Sequence, residues 1–337
     1  MNITKIYSTR GSNTEVYSAL IYEWEDELSK KLNIPIYSYN KNKDTGVRYF
    51  FRLAQELKIG GLLQRLEALK KKSKDYILVY ELYPRKYFSH QVFSDKIPFI
   101  IDFDYNVPLE TFYRIYGNCK LVIISSLQAY NYLKENNCPL NIEHVPLSLS
   151  DKFKLSRKPS REKKYDLFIA RQNKKIMEFV ERYAEEHPDF EYVIRKWVDG
   201  ELYKNNVYVS NKRGALGEFS DRSEYFQLLQ DTRVATYSTP GYDETDKRFM
   251  NHVTPSLFEF VVNGCRIMAR YPKNAETDYY DLSSFAESSD SYEDFKNRLT
   301  YFLEDQSSDY LVQYEKFLDK VYTSRQIQIL KNILNKY

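Results

Sequence analysis

The sequence predicts an α/β protein of two successive domains, each a mostly parallel β-sheet covered by helices. Short apolar runs rich in Ile, Val and Tyr alternate with helical patterns in the first half of the chain. The alternation restarts after residues 151–166, a polar and basic stretch that is the best candidate for a linker. With 337 residues, the chain is long enough for two domains of ordinary size.

The predicted strands of the first domain follow one another with helices between most of them. A strand at 4–8 precedes a helix over 13–32, and another helix begins after Ser125. Residues 141–149 are predicted to form the last strand, which leaves the sheet. The remaining strands of this domain are predicted at 34–39, 75–82, 96–104 and 119–125.

Strands and helices alternate again in the second half, although its sequence does not resemble that of the first half. Helices are predicted at 173–187, near 220–230, within 254–264 and from Tyr292 onward. Strands are predicted at 165–170, 190–197, 205–210, 233–238 and 265–271. We therefore predict two Rossmann-like domains, 1–157 and 158–305, followed by C-terminal helices at 306–337 that pack back on the first domain. A ligand cleft is expected between the domains, outside the carboxyl ends of the strands.

Composition indicates a soluble, cytoplasmic protein without a metal site. Charged residues make up 29% of the chain, and no apolar run reaches the ~18 residues that cross a bilayer. The first ten residues, MNITKIYSTR, lack the apolar core of a signal peptide. The three cysteines are isolated, which is typical of reduced thiols, and the four histidines have no spacing suited to zinc.

Positive charge is concentrated in one segment of the chain. Residues 48–74 contain eight basic and two acidic residues, a surplus of six, whereas the whole chain carries a net +3. The concentration favours a local anionic partner over a nucleic acid, which usually meets a broader basic face. Leu62, Leu63, Leu66 and Leu69 form a stripe at helical spacing, so this segment could dock on anionic lipid at the inner face of the cell membrane. The alternative is a helix whose leucines face its own core while its lysines face water.

One acidic residue stands alone in an apolar helix, TPSLFEFVVNGCRI (254–267). Thr254 can cap this helix, Pro255 suits its first position, and Asn263-Gly264 can end it. Glu259 lies among large apolar residues, where an unpaired charge costs several kcal/mol. The residue therefore has either a lysine or arginine partner or a ligand.

Four stretches together resemble the GT-B-fold glycosyltransferases, in particular the retaining nucleotide-sugar transferases of bacterial polysaccharide synthesis. CKLVIISSLQAYNYLKE (119–135) is similar to a late strand and helix of the first domain, and IEHVPLSLSDKF (142–153) to the crossing into the second. FIARQNKKIMEF (168–179) resembles the first strand, turn and helix of the donor domain. PSLFEFVVNGCRIMARYP (255–272) resembles the donor-site helix, which carries a glutamate and ends in a glycine.

The resemblance assigns Glu259 to the ribose of the donor nucleotide. A carboxylate accepts two hydrogen bonds from a vicinal diol at matching spacing, which would explain an acid in this helix. The family carries a second glutamate at the position of Asn251, where this chain has an uncharged amide. Glu244, in the preceding loop, is the candidate that would compensate.

The resemblance also implies a metal-independent site for the leaving diphosphate. Arg171 follows the first strand of the donor domain, with Lys174 and Lys175 at the start of the next helix. Two cations beside free backbone N–H groups suit a diphosphate, and the pattern does not choose between the lysines. Arg248 is a further candidate. The alternative for these cations is an ordinary solvated helix start or loop.

Candidates on the acceptor side lie in the first domain. Gly11, in STRGSNTEVY (8–17), allows a close backbone approach, although a plain tight turn explains it equally. Asp102 and Asp104 end a predicted strand, and alternation gives them the same face. A carboxylate there could bind acceptor hydroxyls or act as a general base; the alternative for Asp104 is a cap of the next turn. No histidine precedes His90, so the base that some inverting relatives of the resembled family carry at the first turn is absent; by this resemblance a retaining reaction is favoured.

These features predict a cytoplasmic glycosyltransferase that uses a nucleotide-diphosphate-sugar as co-substrate and no other cofactor. The acceptor would be a hydroxyl of a glycan or a lipid-linked saccharide. One alternative is a nucleotide-sugar epimerase of the same fold, which needs no acceptor. The other is a catalytically silent protein that binds a nucleotide or a glycan, as the replacement of a glutamate by Asn251 would allow.

Overall fold

A computed structural model describes the chain in two compact units. Among the described residues, the first unit holds 1–150 and 323–337, and the second holds 151–243 and 251–322. The structure describes all residues except 11–18, 39–40, 58, 70–74, 104, 171–172, 198–205, 220 and 244–250. Each unit is built on one six-stranded sheet.

The first unit is a parallel sheet with the strand order β2-β1-β3-β4-β5-β6. A crossover between parallel strands requires a long connection, and α-helices supply it here except between β3 and β4, where residues 82–95 contain one short 3-10 turn, His90–Val92. Its elements are β1 (Asn2–Ser8), α1 (Ala19–Leu32), β2 (Ile36–Ser38), α2 (Lys41–Glu56), α3 (Gly60–Ala68), β3 (Asp75–Glu81), β4 (Lys96–Ile100), α4 (Leu109–Tyr116), β5 (Val122–Ile124), α5 (Leu127–Glu135) and β6 (Ile142–His144).

The second unit combines a parallel centre with an antiparallel edge, in the order β10-β9-β8-β7-β11-β12. β9 pairs antiparallel with both β8 and β10, while the other pairings are parallel. Its elements are β7 (Tyr165–Ile169), α6 (Lys174–Glu186), β8 (Tyr192–Trp197), β9 (Asn206–Ser210), β10 (Gly214–Glu218), α7 (Arg222–Gln230), β11 (Thr232–Ser238), α8 (Pro255–Val262), β12 (Arg266–Arg270), α9 (Ala275–Tyr279), α10 (Tyr292–Glu304) and α11 (Tyr310–Val321). The last helix, α12 (Thr323–Lys336), belongs to the first unit.

The α/β class, the two successive open sheets and the helical C-terminal tail are confirmed. The sequence did not predict β10, the antiparallel edge or the early start of α2. β4 ends at Ile100, so the predicted strand over 96–104 is too long. The stretch predicted as a linker makes buried contacts in the second unit. The Lys163 ammonium donates to the carbonyls of Thr232 at 3.0 Å and Gly264 at 2.6 Å, because it lies beside the ends of two packed elements.

The helix that carries Glu259 forms as predicted, with one difference at its start. Thr254 occupies the N-cap position, but its hydroxyl lies 2.8 Å from the Ser256 hydroxyl and makes no capping bond. Pro255 is the first helical residue, and Asn263 is the C-cap. Gly264 has a φ of +65°, and a Cβ there would lie 2.6 Å from the Ser156 carbonyl oxygen, so only glycine fits.

Candidate functional site

Three parallel strands of the second unit end at the same edge of its sheet. β7, β11 and β12 are neighbours, and their last residues are Ile169, Ser238 and Arg270. β7 and β11 run in parallel although the chain leaves β7 for β8, which makes the gap beyond these two strand ends the switch point of the sheet. Ligands of open α/β sheets bind in this crevice.

Asn173 joins the end of β7 to the loop that follows β11. Its side-chain oxygen accepts a hydrogen bond from Ile176 N at 3.1 Å and so caps α6. Its amide donates to the Tyr242 carbonyl at 2.9 Å and, at 3.4 Å, to Asp243. The side chain is fully buried. One residue therefore positions both the N-terminus of α6 and the loop after β11.

Arg270, the last residue of β12, holds Asp243 from the other side. Its guanidinium forms a bidentate ion pair with the Asp243 carboxylate, with Nη2 2.8 Å from Oδ1 and Nε also bonded to Oδ2. Asp243 has a φ of +60°, a conformation that a side chain rarely adopts without support. The hydrogen bond to Asp243 is the main reason that the pKa of Arg270 is raised. The ion pair fixes the loop immediately before residues 244–250.

Two buried hydroxyls lie at the same edge. Ser238 is 4% exposed and Thr239 is fully buried, and neither hydroxyl oxygen has a hydrogen-bond partner among the described residues. The side-chain oxygen of Asn251 is likewise buried and unpaired within the described part of the chain. Buried polar groups are normally satisfied, so unpaired oxygens at a strand end indicate a place for ligand or water.

A depression of about 280 Å³ borders this network. Tyr242 and Asp290 line it, and the Asp290 carboxylate lies 3.4 Å from Nη1 of Arg270. A wider depression of about 450 Å³ lies elsewhere, against α7 and Tyr165 at the amino end of β7. We place the candidate site at the carboxyl edge, because catalytic and binding groups of such sheets gather there and not at the amino edge.

Glu259 forms an ion pair with Arg222, the first residue of α7. The Arg222 Nη1 lies 2.6 Å from Oε1 of Glu259, and the two side chains are 13% and 9% exposed. The guanidinium also lies over the rings of Phe226 and Phe153, at 4.9 Å and 5.6 Å from their centroids. The structural alternative for Glu259, an arginine partner, is therefore present. A ribose diol would have to bond the carboxylate beside Arg222 or displace it.

Glu259 contributes to the raised pKa values of two tyrosines. Burial is the main cause that raises the pKa of Tyr225 well above its ordinary value, and Glu259 raises it further. Burial also raises the pKa of Tyr208, with a smaller contribution from Glu259. Both phenols therefore stay protonated at neutral pH and cannot serve as bases there.

The other predicted donor residues have mixed positions. Lys174 is the first residue of α6 and is exposed. Lys175 is exposed and pairs with Glu178 at 3.0 Å, as an ordinary surface lysine would. The Asn251 carbonyl accepts a hydrogen bond from the Asn274 side chain at 3.0 Å. Three further predicted residues lie outside the described residues: Arg171, Glu244 and Arg248.

On the acceptor side, Asp102 is described, whereas Gly11 and Asp104 lie outside the described residues. Asp102 follows the end of β4, and its backbone N–H donates to the Leu82 carbonyl at 2.8 Å. The prediction that Asp102 and Asp104 share one face required a strand that continues to residue 104. Because β4 ends earlier, alternation does not apply to these two positions.

The sequence did not single out Glu25 of α1, one of the buried carboxylates of the first unit. Glu25 is 1% exposed, and its Oε2 accepts hydrogen bonds from Ser8 at 2.5 Å and from Arg10 at 3.0 Å. Ser8 ends β1, so this cluster lies at the carboxyl edge of the first sheet. Burial raises the pKa of Glu25 despite these two donors. In the sequence, Glu25 is hidden among Glu23, Asp26 and Glu27.

Asn173, Asp243 and Arg270 were also missed in the second unit. A signal existed, because each is a polar residue that follows or ends a predicted apolar strand. The pairing of Arg270 with Asp243 spans 27 residues, and no local pattern gives it. Within the described ranges, no group of three or more His, Cys, Asp and Glu side chains is arranged to hold a metal ion. None of the described helices combines the length and apolarity needed to cross a membrane.

Solved structures share this architecture. Sucrose-phosphate synthase from Thermosynechococcus elongatus matches with a TM-score of 0.58 at 10% identity, over 100% of this chain and 98% of that one. The S. aureus TarM G117R mutant, in complex with fondaparinux, alpha-GlcNAc-glycerol and UDP, matches with a TM-score of 0.51 at 11% identity over 80% of this chain. The chain has the GT-B fold. At these identities the likeness shows the fold alone.

Other comparisons limit what the fold implies. The GtfA/B complex matches with a TM-score of 0.50 at 12% identity over 82% of this chain. The chain spans about 60% of the length of the matched chain of that complex and 57% of the TarM chain. No family model matches the sequence. The search of curated proteins gives no match either.

Proposed function

We propose that the chain is a glycosyltransferase that moves a sugar from a nucleotide-diphosphate-sugar to a hydroxyl group. The acceptor is a glycan or a lipid-linked saccharide, the reaction retains the anomeric configuration, and no metal is required. We place the donor on the second unit and the acceptor on the first. The observation that carries the proposal is the carboxyl edge of the second sheet, in a chain with the GT-B fold.

This edge has the chemistry that a leaving nucleotide diphosphate needs. The N-terminus of α6 presents backbone N–H groups and the positive end of its dipole, with exposed Lys174 beside them. The buried hydroxyls of Ser238 and Thr239 can donate to phosphate or sugar oxygens. Arg171 is the proposed second cation. Fixed donors around a departing anion stabilise it in the transition state, which is the largest contribution available to this kind of reaction.

Glu259 keeps its proposed role at the ribose, although the Arg222 ion pair weakens the argument that burial alone required a ligand. With Oε1 engaged by Arg222, the carboxylate is held in one orientation, as a binding group must be. Asp102 and Asp104 remain candidates for acceptor contacts, Asp104 and Glu244 for a catalytic carboxylate, and Gly11 for the turn beneath the acceptor. Asn251 and Arg248 remain candidates for the transferred sugar and its phosphates.

Binding of nucleoside diphosphates tests the proposal first. UDP, GDP, ADP and dTDP are each added to the full chain, and the shift in melting temperature identifies the base, because a ligand that binds only the folded state stabilises it. Titration calorimetry then measures Kd for wild type and for Arg171→Ala. We expect the variant to bind at least about tenfold more weakly, since a charge-assisted contact to phosphate is lost.

Arg182→Ala is the matched control, because Arg182 lies on α6, the helix that follows Arg171 in the sequence, is 57% exposed and pairs with Glu186. Its affinity is expected to stay within about twofold of wild type. If no nucleoside diphosphate binds, or if both variants bind equally, the donor site is not at this edge. Incubation with the sugar nucleotide of the matching base separates the possible activities. Release of nucleotide only when an acceptor is present supports transfer. Conversion of the donor without an acceptor indicates an epimerase, and binding without turnover indicates a catalytically silent protein.

A further inference from the structure

The first unit exposes large apolar side chains on two consecutive helices, α2 and α3, and on the residues that join and end them. Fifteen large apolar side chains are exposed among the described residues, and eight of them lie between residues 49 and 69. The eight residues are Tyr49, Phe50, Leu53, Leu57, Ile59, Leu62, Leu66 and Leu69. Single exposed apolar residues are normal, but a group of this size within one short stretch, on two helices that contact each other, indicates an interaction site. We call these eight residues the apolar surface.

The opposite side of α3 is firmly attached to the first unit. Leu63 packs against the core cluster that includes Val92 and Ile115. The buried carboxylate of Glu67 accepts hydrogen bonds from the backbone and hydroxyl of Ser94, at 3.3 Å and 3.1 Å. The Gln64 carbonyl accepts from Asn118 at 2.9 Å. The core contacts of α3 are therefore made without the exposed leucines.

The exposed residues follow helical spacing. Leu62, Leu66 and Leu69 are separated by four and three residues and are 56%, 53% and 82% exposed. In α2, Tyr49 and Leu53 are separated by four residues and are 66% and 54% exposed. The alternative that all four leucines of this stripe face the core holds for Leu63 and is wrong for the other three. A helix on a protein surface normally turns its polar face outward.

Charge identifies the kind of partner. Residues 48–74 carry eight basic and two acidic side chains, and Lys70, Lys71 and Lys72 follow α3 directly in the sequence. Among the described side chains, Arg52 and Arg65 are exposed on the same two helices. A second copy of this chain would bring the same positive surplus against itself, which like charges oppose. Anionic lipid offers an apolar layer beneath negative headgroups and so fits both features.

We propose that the apolar surface inserts into the interfacial layer of an anionic membrane, with the exposed Arg52 and Arg65 at the headgroups. Leucine and isoleucine side chains enter the upper acyl region, and Tyr49 lies at headgroup level, as aromatic residues of membrane interfaces do. The inserted apolar contacts hold the chain on the membrane, and the charges direct it to anionic lipid. This inference goes beyond sugar transfer and does not depend on it.

Vesicle sedimentation of the full chain tests the inference. One set of vesicles is phosphatidylcholine alone, and the other is equal parts phosphatidylcholine and phosphatidylglycerol. We expect wild type to bind the anionic vesicles at least about tenfold more tightly, and to release as salt is raised. The double variant Leu62→Asn, Leu66→Asn should bind the anionic vesicles at least about tenfold more weakly, because two inserted side chains are lost.

Tyr301→Asn, Val312→Asn is the matched control, since these residues of α10 and α11 are 58% and 54% exposed outside the apolar surface. Its vesicle binding should stay within about twofold of wild type. Both double variants should keep the unfolding midpoint of wild type, because all four side chains face solvent. The inference is overturned if wild type binds neither vesicle, or if the leucine variant binds like the control. It is equally overturned if sedimentation without vesicles shows a wild-type dimer that the leucine variant dissociates.

Discussion

Glu25 in the first unit and Glu259 in the second are both buried helix glutamates that pair with an arginine, yet their surroundings differ. Glu25 is 1% exposed, and its partner Arg10 is 28% exposed and also binds Asp26 at 2.8 Å. Glu259 pairs with an arginine that is only 13% exposed. In the first pair the arginine is partly exposed and binds a second acid, whereas in the second pair both side chains are largely buried.

The difference shows what a buried acid in a sequence can mean. Glu259 is conspicuous because its neighbours are apolar, and it was therefore noticed; its partner is 37 residues away in the chain. Glu25 is more deeply buried, but its acidic neighbours in the sequence conceal it. Burial of a charge follows from where the helix packs, and local composition reports it only when the whole helix is apolar.

The largest effect is expected from Glu259→Ala. Removing the carboxylate takes from the buried Arg222 guanidinium its ion pair at 2.6 Å, so we expect a loss of about 3–5 kcal/mol in the free energy of unfolding. Urea denaturation measures it. Glu315→Ala is the control, because Glu315 is 50% exposed and pairs with an exposed arginine, and about 1 kcal/mol or less should be lost.

A loss for Glu259→Ala no larger than that of the control would contradict the expectation that the buried ion pair of Glu259 with Arg222 stabilises the fold. The double variant Glu259→Leu, Arg222→Leu sharpens the test, because replacing both charges by apolar groups should recover much of the loss. Nucleoside diphosphate affinity, measured on the same variants, reports separately whether Glu259 contacts a ligand.

The next effect concerns the pH dependence of stability in the first unit, where His144 and Glu25 have opposite effects. Burial lowers the pKa of His144 to about 4, and its Nε2 lies 3.0 Å from the Ser125 carbonyl, to which it donates. Because the folded pKa lies below the unfolded value, the stabilisation is complete above about pH 6.5 and is lost as pH falls toward about 4, roughly 3 kcal/mol in total.

We expect His144→Gln to lose less stability than wild type between about pH 7 and about pH 4, by roughly 3 kcal/mol. Urea denaturation at several pH values in this range measures the difference. Parallel pH profiles for the two proteins would show that His144 binds a proton without cost in the folded state.

The smallest effect is expected from Glu25→Gln. The folded pKa of Glu25 is raised, so its contribution to stability is greatest below the unfolded value and falls as pH rises through the folded pKa. An amide avoids this cost and can still accept from Ser8, so the free energy of unfolding at neutral pH should stay within about 1 kcal/mol of wild type or exceed it.

The measurement is clearest in the His144→Gln background, where the opposing pH dependence is absent. Glu25 makes the free energy of unfolding fall above about pH 4.5, and in that background Glu25→Gln should abolish this fall. A loss of more than about 2 kcal/mol at neutral pH would mean that the ionised carboxylate of Glu25 is needed, and that the two glutamate pairs are alike.

Local patterns predicted most elements of the second unit because the signals lie within a few residues. Asn173 caps α6 three residues before Ile176, and Pro255 and Gly264 bound the helix of Glu259. The sequence could not predict that β9 runs antiparallel, because strand direction depends on which neighbour it pairs with. Three residues of the apolar surface, Leu62, Leu66 and Leu69, were recognised as part of a stripe. The sequence did not decide which side of the helix faces solvent, since Leu62 and Leu63 differ by a single step around the helix.

The sequence by itself determined the α/β class, the succession of two sheets and the helical tail, because alternation and helix ends are local properties of a chain. Tertiary structure alone decided that Glu259 meets Arg222, that Arg270 supports Asp243, and that Leu62, Leu66 and Leu69 face outward. Each of these outcomes depends on which distant segments come together, and a charge or an apolar side chain acquires its free energy from those neighbours.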